Sequence, residues 1–81
     1  KIDCTIIKLR SHAESIRKEV LDQSKKKIQK GDNIESILEQ NSINLIKKIL
    51  HEPSVKLKEA AENSDEVFIE NISKLFDLNK E

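Results

Sequence analysis

The sequence predicts an all-α protein: a small bundle of about four helices with a long first helix, assembled as a dimer. Its apolar residues are nearly all aliphatic, with twelve Ile, eight Leu and three Val against two Phe. One Gly and one Pro in 81 residues leave little turn chemistry for a β-protein. Lys, Glu, Leu and Ile spaced among polar residues favour helices.

The length of 81 residues predicts one small domain that covers residues 1–81. A chain of about 60 residues buries only about 60% of the surface that its unfolded form exposes, so a domain of this size is marginal alone. A partner subunit or a parent protein would therefore stabilise it. The sequence opens at Lys1 rather than at methionine, which predicts a fragment of a larger protein.

The first helix is predicted from about Thr5 to Lys30. Its apolar residues recur at intervals of four, three, four, three and four, the spacing of a coiled-coil stripe: Ile2, Ile6, Leu9, Ala13, Ile16 and Val20. Such a helix is about 39 Å long. The core of so small a domain cannot cover its whole length, so a second chain is the natural candidate to pack along it. Gly31 follows a lysine-rich turn and is predicted to end the helix in the left-handed conformation.

The second helix is predicted from a cap at Asp32 or Asn33 to about His51, antiparallel to the first. Asp32 and Glu35 resemble a capping box. The apolar face of this helix, interrupted by Asn41, consists of Ile34, Ile37, Leu38, Leu45, Ile46, Ile49 and Leu50.

Two further helices are predicted after a break at Pro53. This proline disfavours helical geometry at Glu52 and suits the first turn of a new helix, which we place from Pro53 to about Glu62. Ser64 is the predicted N-cap of a fourth helix. Its apolar face is broad and consists of Val67, Phe68, Ile69, Ile72, Leu75, Phe76 and Leu78.

Compartment and charge exclude several classes of protein. A single cysteine, no signal-peptide pattern and no apolar run of about 20 residues predict a soluble cytoplasmic protein. The net charge is zero, with +5 over residues 1–30 and −5 over residues 31–81, so the two parts can attract each other within a chain or across a dimer. Neutrality argues against a dedicated nucleic-acid binder.

The lysines at positions 25, 26, 27 and 30 have two interpretations. They form either a solvated helix end or a set of weak contacts to a tRNA backbone. No aromatic residue lies among them, so the sequence offers no platform for base stacking. A contact with tRNA here would be nonspecific and sensitive to salt.

The sequence contains no pattern of catalytic or metal-binding residues. Cys4 has only Lys8 one turn away to lower its thiol pKa, and we interpret it as a structural or incidental cysteine. His12 and His51 lie on different predicted helices and neither has a paired ligand at metal-site spacing. We therefore predict no catalytic residue, no metal and no cofactor for this chain.

Three segments carry a family resemblance. Residues 9–19 (LRSHAESIRKE) resemble the pattern LRxxAExIRxxE of glutamyl-tRNA reductases, residues 47–61 (KKILHEPSVKLKEAA) resemble their KLLHxPxxxLRxxA, and residues 75–78 (LFDL) resemble their LFxL. The three matches come in the family's order and cover nearly the whole chain. Cys4 in place of proline, Val20 in place of leucine and Lys58 in place of arginine depart from the pattern.

The resemblance implies that this chain is the C-terminal dimerization domain of such an enzyme. The parent protein would use NADPH to reduce glutamyl-tRNA to glutamate 1-semialdehyde, the entry step of tetrapyrrole (porphyrin) biosynthesis. In the family, the catalytic cysteine and the nucleotide-binding glycine-rich loop lie in other domains. The resemblance therefore implies a homodimerization module that is not itself an enzyme.

The predicted dimer interface combines the stripe of the first helix with one face of the last. Its residues are Ile6, Leu9, Ala13, Ile16, Val20, Phe68, Ile72, Leu75 and Phe76. The sequence leaves open whether helices are exchanged between chains, and whether the stripe instead forms the core of a monomeric four-helix bundle. An alternative function is a helical module that contacts tRNA or another protein without dimerizing.

Overall fold

A computed structural model of the protein describes residues 2–79, with the side chains of Ile2 and Asp3 left out. It contains three helices, α1 (Ile2–Gln29), α2 (Ile34–Glu62) and α3 (Glu66–Leu75), and no strand among the described residues. The all-α prediction is confirmed. The chain forms two compact units, Lys1–Ile49 and Leu50–Glu81.

The prediction that Gly31 ends the first helix is confirmed. Gly31 adopts a φ of +88°, its N–H donates to the Ile28 carbonyl at 3.0 Å, and the Asp32 N–H donates to the Lys27 carbonyl at 3.2 Å. This pair of bonds is the Schellman motif, which satisfies carbonyls that the last helical turn leaves without partners. Glycine suits the position because it has no Cβ to clash in the left-handed region.

Asn33, and not Asp32, caps α2. The Ser36 N–H donates to Asn33 Oδ1 at 2.9 Å, and the Asn33 carbonyl accepts the first helical bond from Ile37 at 3.0 Å. The predicted capping box of Asp32 with Glu35 is therefore wrong. The Asp32 N–H closes the end of α1, so Asp32 belongs to the Schellman motif of that helix. The N-cap of α2 is therefore the next residue, Asn33.

The predicted break at Pro53 is wrong, and with it the count of four helices, because α2 runs through this proline. Proline has no N–H, so the Ile49 carbonyl one turn earlier loses its helical partner. Good helix formers on both sides, KKIL before and KLKEAA after, outweigh that local cost. The boundary of the two compact units falls beside the same Ile49.

The end of α2 also corrects the predicted cap at Ser64. Ser64 has a φ of +55°, its N–H donates to the Ala61 carbonyl at 3.2 Å, and the Asp65 N–H donates to the Ala60 carbonyl at 2.8 Å. Ser64 thus takes the left-handed place that glycine takes after α1. Asp65 caps α3, its carboxylate accepting the Phe68 N–H at 3.1 Å.

The C-terminus of α3 repeats this arrangement. Asp77 has a φ of +57°, its N–H donates to the Lys74 carbonyl at 3.2 Å, and the Leu78 N–H donates to the Ser73 carbonyl at 2.8 Å. All three helices therefore end in a Schellman motif, although only the first has glycine at the left-handed position.

In the first unit, α1 packs antiparallel to the first half of α2, as predicted. The Ser24 hydroxyl donates to Asn41 Oδ1 at 2.6 Å, and farther from the turn Lys48 Nζ lies 3.1 Å from Glu19 Oε2. The buried core of this unit is small and consists of Ile16, Val20 and Ile37. Asn41 interrupts the apolar face of α2 because it receives the Ser24 hydrogen bond.

The second unit contains the remainder of α2 and the whole of α3. Ala60 is its only buried hydrophobic residue among those described. The half-buried residues of this unit are Pro53, Leu57, Phe68, Ile69, Ile72 and Ser73. The Ala60 carbonyl accepts the Asp65 N–H, the bond that closes α2.

Ser64→Gly is expected to raise the free energy of unfolding by about 1 kcal/mol, because glycine removes the cost of a left-handed side-chain residue. Gly31→Ala is the matched control and should lower the free energy of unfolding by about 1 kcal/mol. A Cβ at this position meets no atom within 4 Å, so the loss would come from the left-handed backbone conformation and not from a clash with neighbouring atoms. Denaturant titration followed by circular dichroism measures both. Equal signs for the two variants would contradict this account.

Pro53→Ala is expected to raise the free energy of unfolding by about 1–2 kcal/mol, since it restores the bond to the Ile49 carbonyl. Ser54→Ala, at the next, exposed position of the same helix, should change it by about 0.5 kcal/mol or less. Denaturant titration again measures both. A loss of stability in Pro53→Ala would show that the proline stabilises α2.

Candidate functional site

Large hydrophobic side chains lie exposed on all three helices. In the first unit the exposed residues are Ile6, Ile7, Leu9, Leu21, Ile28, Ile34, Leu38, Ile43 and Ile46. In the second unit they are Leu50, Val55, Val67, Leu75, Phe76 and Leu78. The buried hydrophobic residues are Ile16, Val20, Ile37 and Ala60. Single exposed aliphatic residues are ordinary, but so large a share of the aliphatic side chains is typical of an interaction surface.

The predicted stripe of α1 is divided by the structure into a covered and an uncovered part. Ile16 and Val20, 9% and 2% exposed, lie in the core of the first unit. Ile6 and Leu9 are 47% and 64% exposed, and Ala13 is exposed beside them. A partner can therefore reach the stripe directly only over its first half.

The interface residues predicted on α3 and at its C-terminal end belong to the second unit, and they are more exposed than Ile16 and Val20. Phe68 and Ile72 are half-buried, whereas Leu75 and Phe76 are 72% and 45% exposed. No residue of α3 is buried. The structure thus leaves most of this amphipathic helix available for contact.

Sequence reasoning missed part of the exposed surface on α3. Val67 is exposed together with Leu75, and with Asn71 they follow at intervals of four residues, which places them along one side of α3. Leu78, which is also exposed, lies beyond the end of the helix. The single broad apolar face predicted for this segment contains these apolar residues together with the half-buried ones. The same spacing, applied separately to each side, would have distinguished the half-buried side from this exposed one.

A groove in the first unit runs between α1 and α2. Its apolar part is formed by Ala13, Leu45 and Ile49, and its rim by Arg10, Glu14 and Arg17. Arg17 Nε donates to Glu14 Oε1 at 3.1 Å, and Arg17 Nη2 pairs with Glu14 Oε2. Arg10 has no hydrogen-bond or ion-pair partner among residues 2–79.

The ion pair on the rim of the groove shifts the acidity of both its members. The hydrogen bond from Arg17 lowers the pKa of the Glu14 carboxyl, with a smaller contribution from the charges of Arg17 and Lys18. The same hydrogen bond raises the pKa of Arg17. Both side chains are half exposed to solvent, so the pair orients the rim and contributes little to stability.

The described residues bring together no group of three His, Cys, Asp or Glu side chains that could hold a metal ion. Cys4 is exposed on α1, and His12 and His51 are exposed on α1 and α2. Gly31, the single glycine of the sequence, ends α1. A nicotinamide dinucleotide needs a glycine-rich loop at the N-terminus of a helix, and these residues do not fit it.

The lysine run lies at the C-terminal end of α1. Lys25, Lys26 and Lys30 are exposed, and Lys27 is half-buried beside the turn. Positive charge is favoured at this end of a helix by the helix dipole. None of the helices in the described part of the chain has the length and apolarity that a membrane span requires.

The sequence comparisons agree with the family resemblance. The profile of the family described as "Glutamyl-tRNAGlu reductase, dimerisation domain" matches residues 1–78. The chain belongs to this family. Membership of a family with this description fits a chain that leaves many large hydrophobic side chains exposed.

Individual relatives of this dimerisation domain are named glutamyl-tRNA reductase. A protein of Neisseria meningitidis is 36% identical over 72 residues, covering 89% of this chain and 17% of the relative. A protein of Neisseria gonorrhoeae is 35% identical over 72 residues, which again cover 89% of this chain and 17% of the relative. A protein of Methanothermobacter thermautotrophicus is 28% identical over 76 residues, which cover 94% of this chain and 19% of the relative. The chain thus spans about a fifth of the length of these curated relatives. The comparison with solved structures found no match.

Arg17→Gln is expected to raise the pKa of the Glu14 carboxyl toward its ordinary value, because the hydrogen bond that lowers it is lost. In the native protein the pair stabilises the fold above the ordinary glutamate pKa, and the effect disappears as the pH falls through the lowered value. Carboxyl chemical shifts of wild type and variant, followed through an acid titration, measure the change. An unchanged Glu14 midpoint in the variant would contradict the assignment.

Proposed function

We propose that residues 1–81 form a single domain that joins two identical subunits of a glutamyl-tRNA reductase. The observation that carries this proposal is the set of large hydrophobic side chains that lie exposed on all three helices. The family match over residues 1–78 supports it. A second copy of the chain covers this surface most economically, because a two-fold axis uses every contact twice.

The parent enzyme is proposed to reduce glutamyl-tRNA to glutamate 1-semialdehyde with NADPH in the cytoplasm, for porphyrin biosynthesis. The relatives described above are named glutamyl-tRNA reductase, which supports the reductase activity. We propose that the chemistry belongs to other parts of the parent enzyme, and this proposal is consistent with a chain that spans only about a fifth of its relatives. In this account the present chain contributes dimerization and no catalytic residue, metal or cofactor site.

The proposed interface uses the predicted residues in two ways. The exposed ones make the contact: Ile6, Leu9, Ala13, Leu75 and Phe76. Phe68 and Ile72, which are half-buried, complete the surface of α3. Ile16 and Val20 support the contact from beneath, because they hold α1 in the first unit.

Sedimentation equilibrium of the purified protein over a wide concentration range tests the proposal. The wild type is expected to sediment at twice 9.3 kDa. Leu9→Glu should raise the dimer dissociation constant by roughly 100-fold or more, because two-fold symmetry removes the leucine contact twice and each leucine contributes about 1.5–3 kcal/mol. Phe76→Glu should act in the same direction.

Ser11→Glu provides the matched control for Leu9→Glu. Ser11 is exposed on α1, two residues from Leu9 and on the opposite side of the helix. The same charge is introduced there without touching the apolar stripe, so the dissociation constant should change by less than about threefold. A wild type that stays monomeric at all concentrations would refute the dimerization proposal and favour the module that contacts tRNA or another protein.

A further inference from the structure

The groove of the first unit has the properties of a docking site for a helix. Ala13, Leu45 and Ile49 give it an apolar floor, and two guanidinium groups, those of Arg10 and Arg17, lie on its rim. One of them, Arg10, has no partner among the described residues. An apolar floor with a free positive charge favours an amphipathic helix that carries carboxylates.

The segment around α3 has the matching properties. Residues 65–77 contain four carboxylates against one lysine, a net charge of −3. Two of these carboxylates, Glu66 and Glu70, are exposed one helical turn apart. No residue of α3 is buried, and Val67 and Leu75 are each 72% exposed.

Pairing of two such grooves with each other is less favourable. It would place the Arg10 and Arg17 guanidiniums of one chain near those of the other, with only Glu14 on each side to offset them. Like charges directly opposed across a contact are destabilising. The opposite charges of residues 1–30 and 31–81, +5 and −5, favour a contact between the early part of one chain and the late part of another.

We propose that α3 of a second copy of this chain occupies the groove between α1 and α2, with its Glu66 and Glu70 side chains near Arg10 and Arg17. This inference rests on the proposed dimerization and specifies its geometry. By two-fold symmetry the contact occurs twice, and each chain gives a helix and receives one.

A charge-exchange experiment tests this geometry. The groove variant carries Arg10→Glu with Arg17→Glu, and the helix variant carries Glu66→Lys with Glu70→Lys. Each alone places like charges at both contacts, so its homodimer dissociation constant should rise roughly tenfold. In a mixed dimer both contacts again have opposite charges. An equal mixture should therefore contain about 90% heterodimer, against about 50% for random pairing.

Native mass spectrometry distinguishes the two homodimers from the heterodimer by mass, and circular dichroism checks that each variant is helical. Lys25→Glu with Lys26→Glu is the matched control, since it makes the same charge change on exposed residues of α1 outside the groove. Its dissociation constant should stay within about threefold of the wild type. Recovery of the dimer in the mixture also shows that neither variant has lost its fold.

The outcomes separate this inference from the function on which it rests. A wild-type dimer whose affinity the groove variant leaves unchanged, or random pairing in the mixture, would overturn the geometry and leave dimerization standing. The geometry would also be overturned if the groove variant bound the wild type as tightly as it binds the helix variant. That result would indicate a contact between two α1 helices. A wild-type monomer at all concentrations would remove both proposals.

Discussion

Among the described residues of the first unit, the contact between α1 and the first half of α2 buries three side chains, those of Ile16, Val20 and Ile37. This limited core is the constraint on which the rest of the structure depends. Leu45 and Ile49 are only half-buried, and many other aliphatic residues of the unit remain exposed. In the proposed dimer a second copy of the chain covers part of these side chains, which would explain why a chain rich in Ile and Leu leaves so many of them exposed.

The ends of the helices are determined by backbone hydrogen bonds more than by side-chain packing. Each helix ends in a Schellman motif, at Gly31, Ser64 and Asp77. In the first unit, the pairing of Ser24 with Asn41 fixes the register of α1 on α2, because a shift by one turn would leave both polar groups half-buried without a partner. The exposed surface is therefore presented by helices whose ends and register are defined locally.

The sequence predicted the parts of the fold that depend on periodicity. The spacing of the α1 stripe identified a long helix, and the single glycine identified its end, because only one residue type enters the left-handed region without cost. It failed at Pro53 and Ser64, where two local preferences compete. Proline favoured a helix start but lay among strong helix formers, and Ser64 favoured a cap but was drawn into the motif that closes α2.

The sequence predicted a set of residues for the candidate site, but it did not predict which of them are exposed. Ile16 and Leu9 belong to the same stripe and are equivalent in the sequence, yet only Leu9 remains accessible, since the extent to which α2 covers α1 depends on tertiary packing. The groove could not be predicted from the sequence for the same reason. Arg10, Glu14 and Arg17 form its rim on α1, but Leu45 and Ile49, which complete its apolar part, lie on α2. The family resemblance indicated dimerization, but it did not indicate which side chains are free to make the contact.

The central claim is that folding of this chain is linked to covering its apolar surface with a second copy. The most direct test is the concentration dependence of the denaturant midpoint, followed by circular dichroism. Between about 1 µM and about 100 µM protein, coupled folding and dimerization should raise the apparent stability by about 2.7 kcal/mol per dimer, and the midpoint should rise accordingly. A midpoint that is the same across this range would show that the chain is stable without a partner, and would contradict the account.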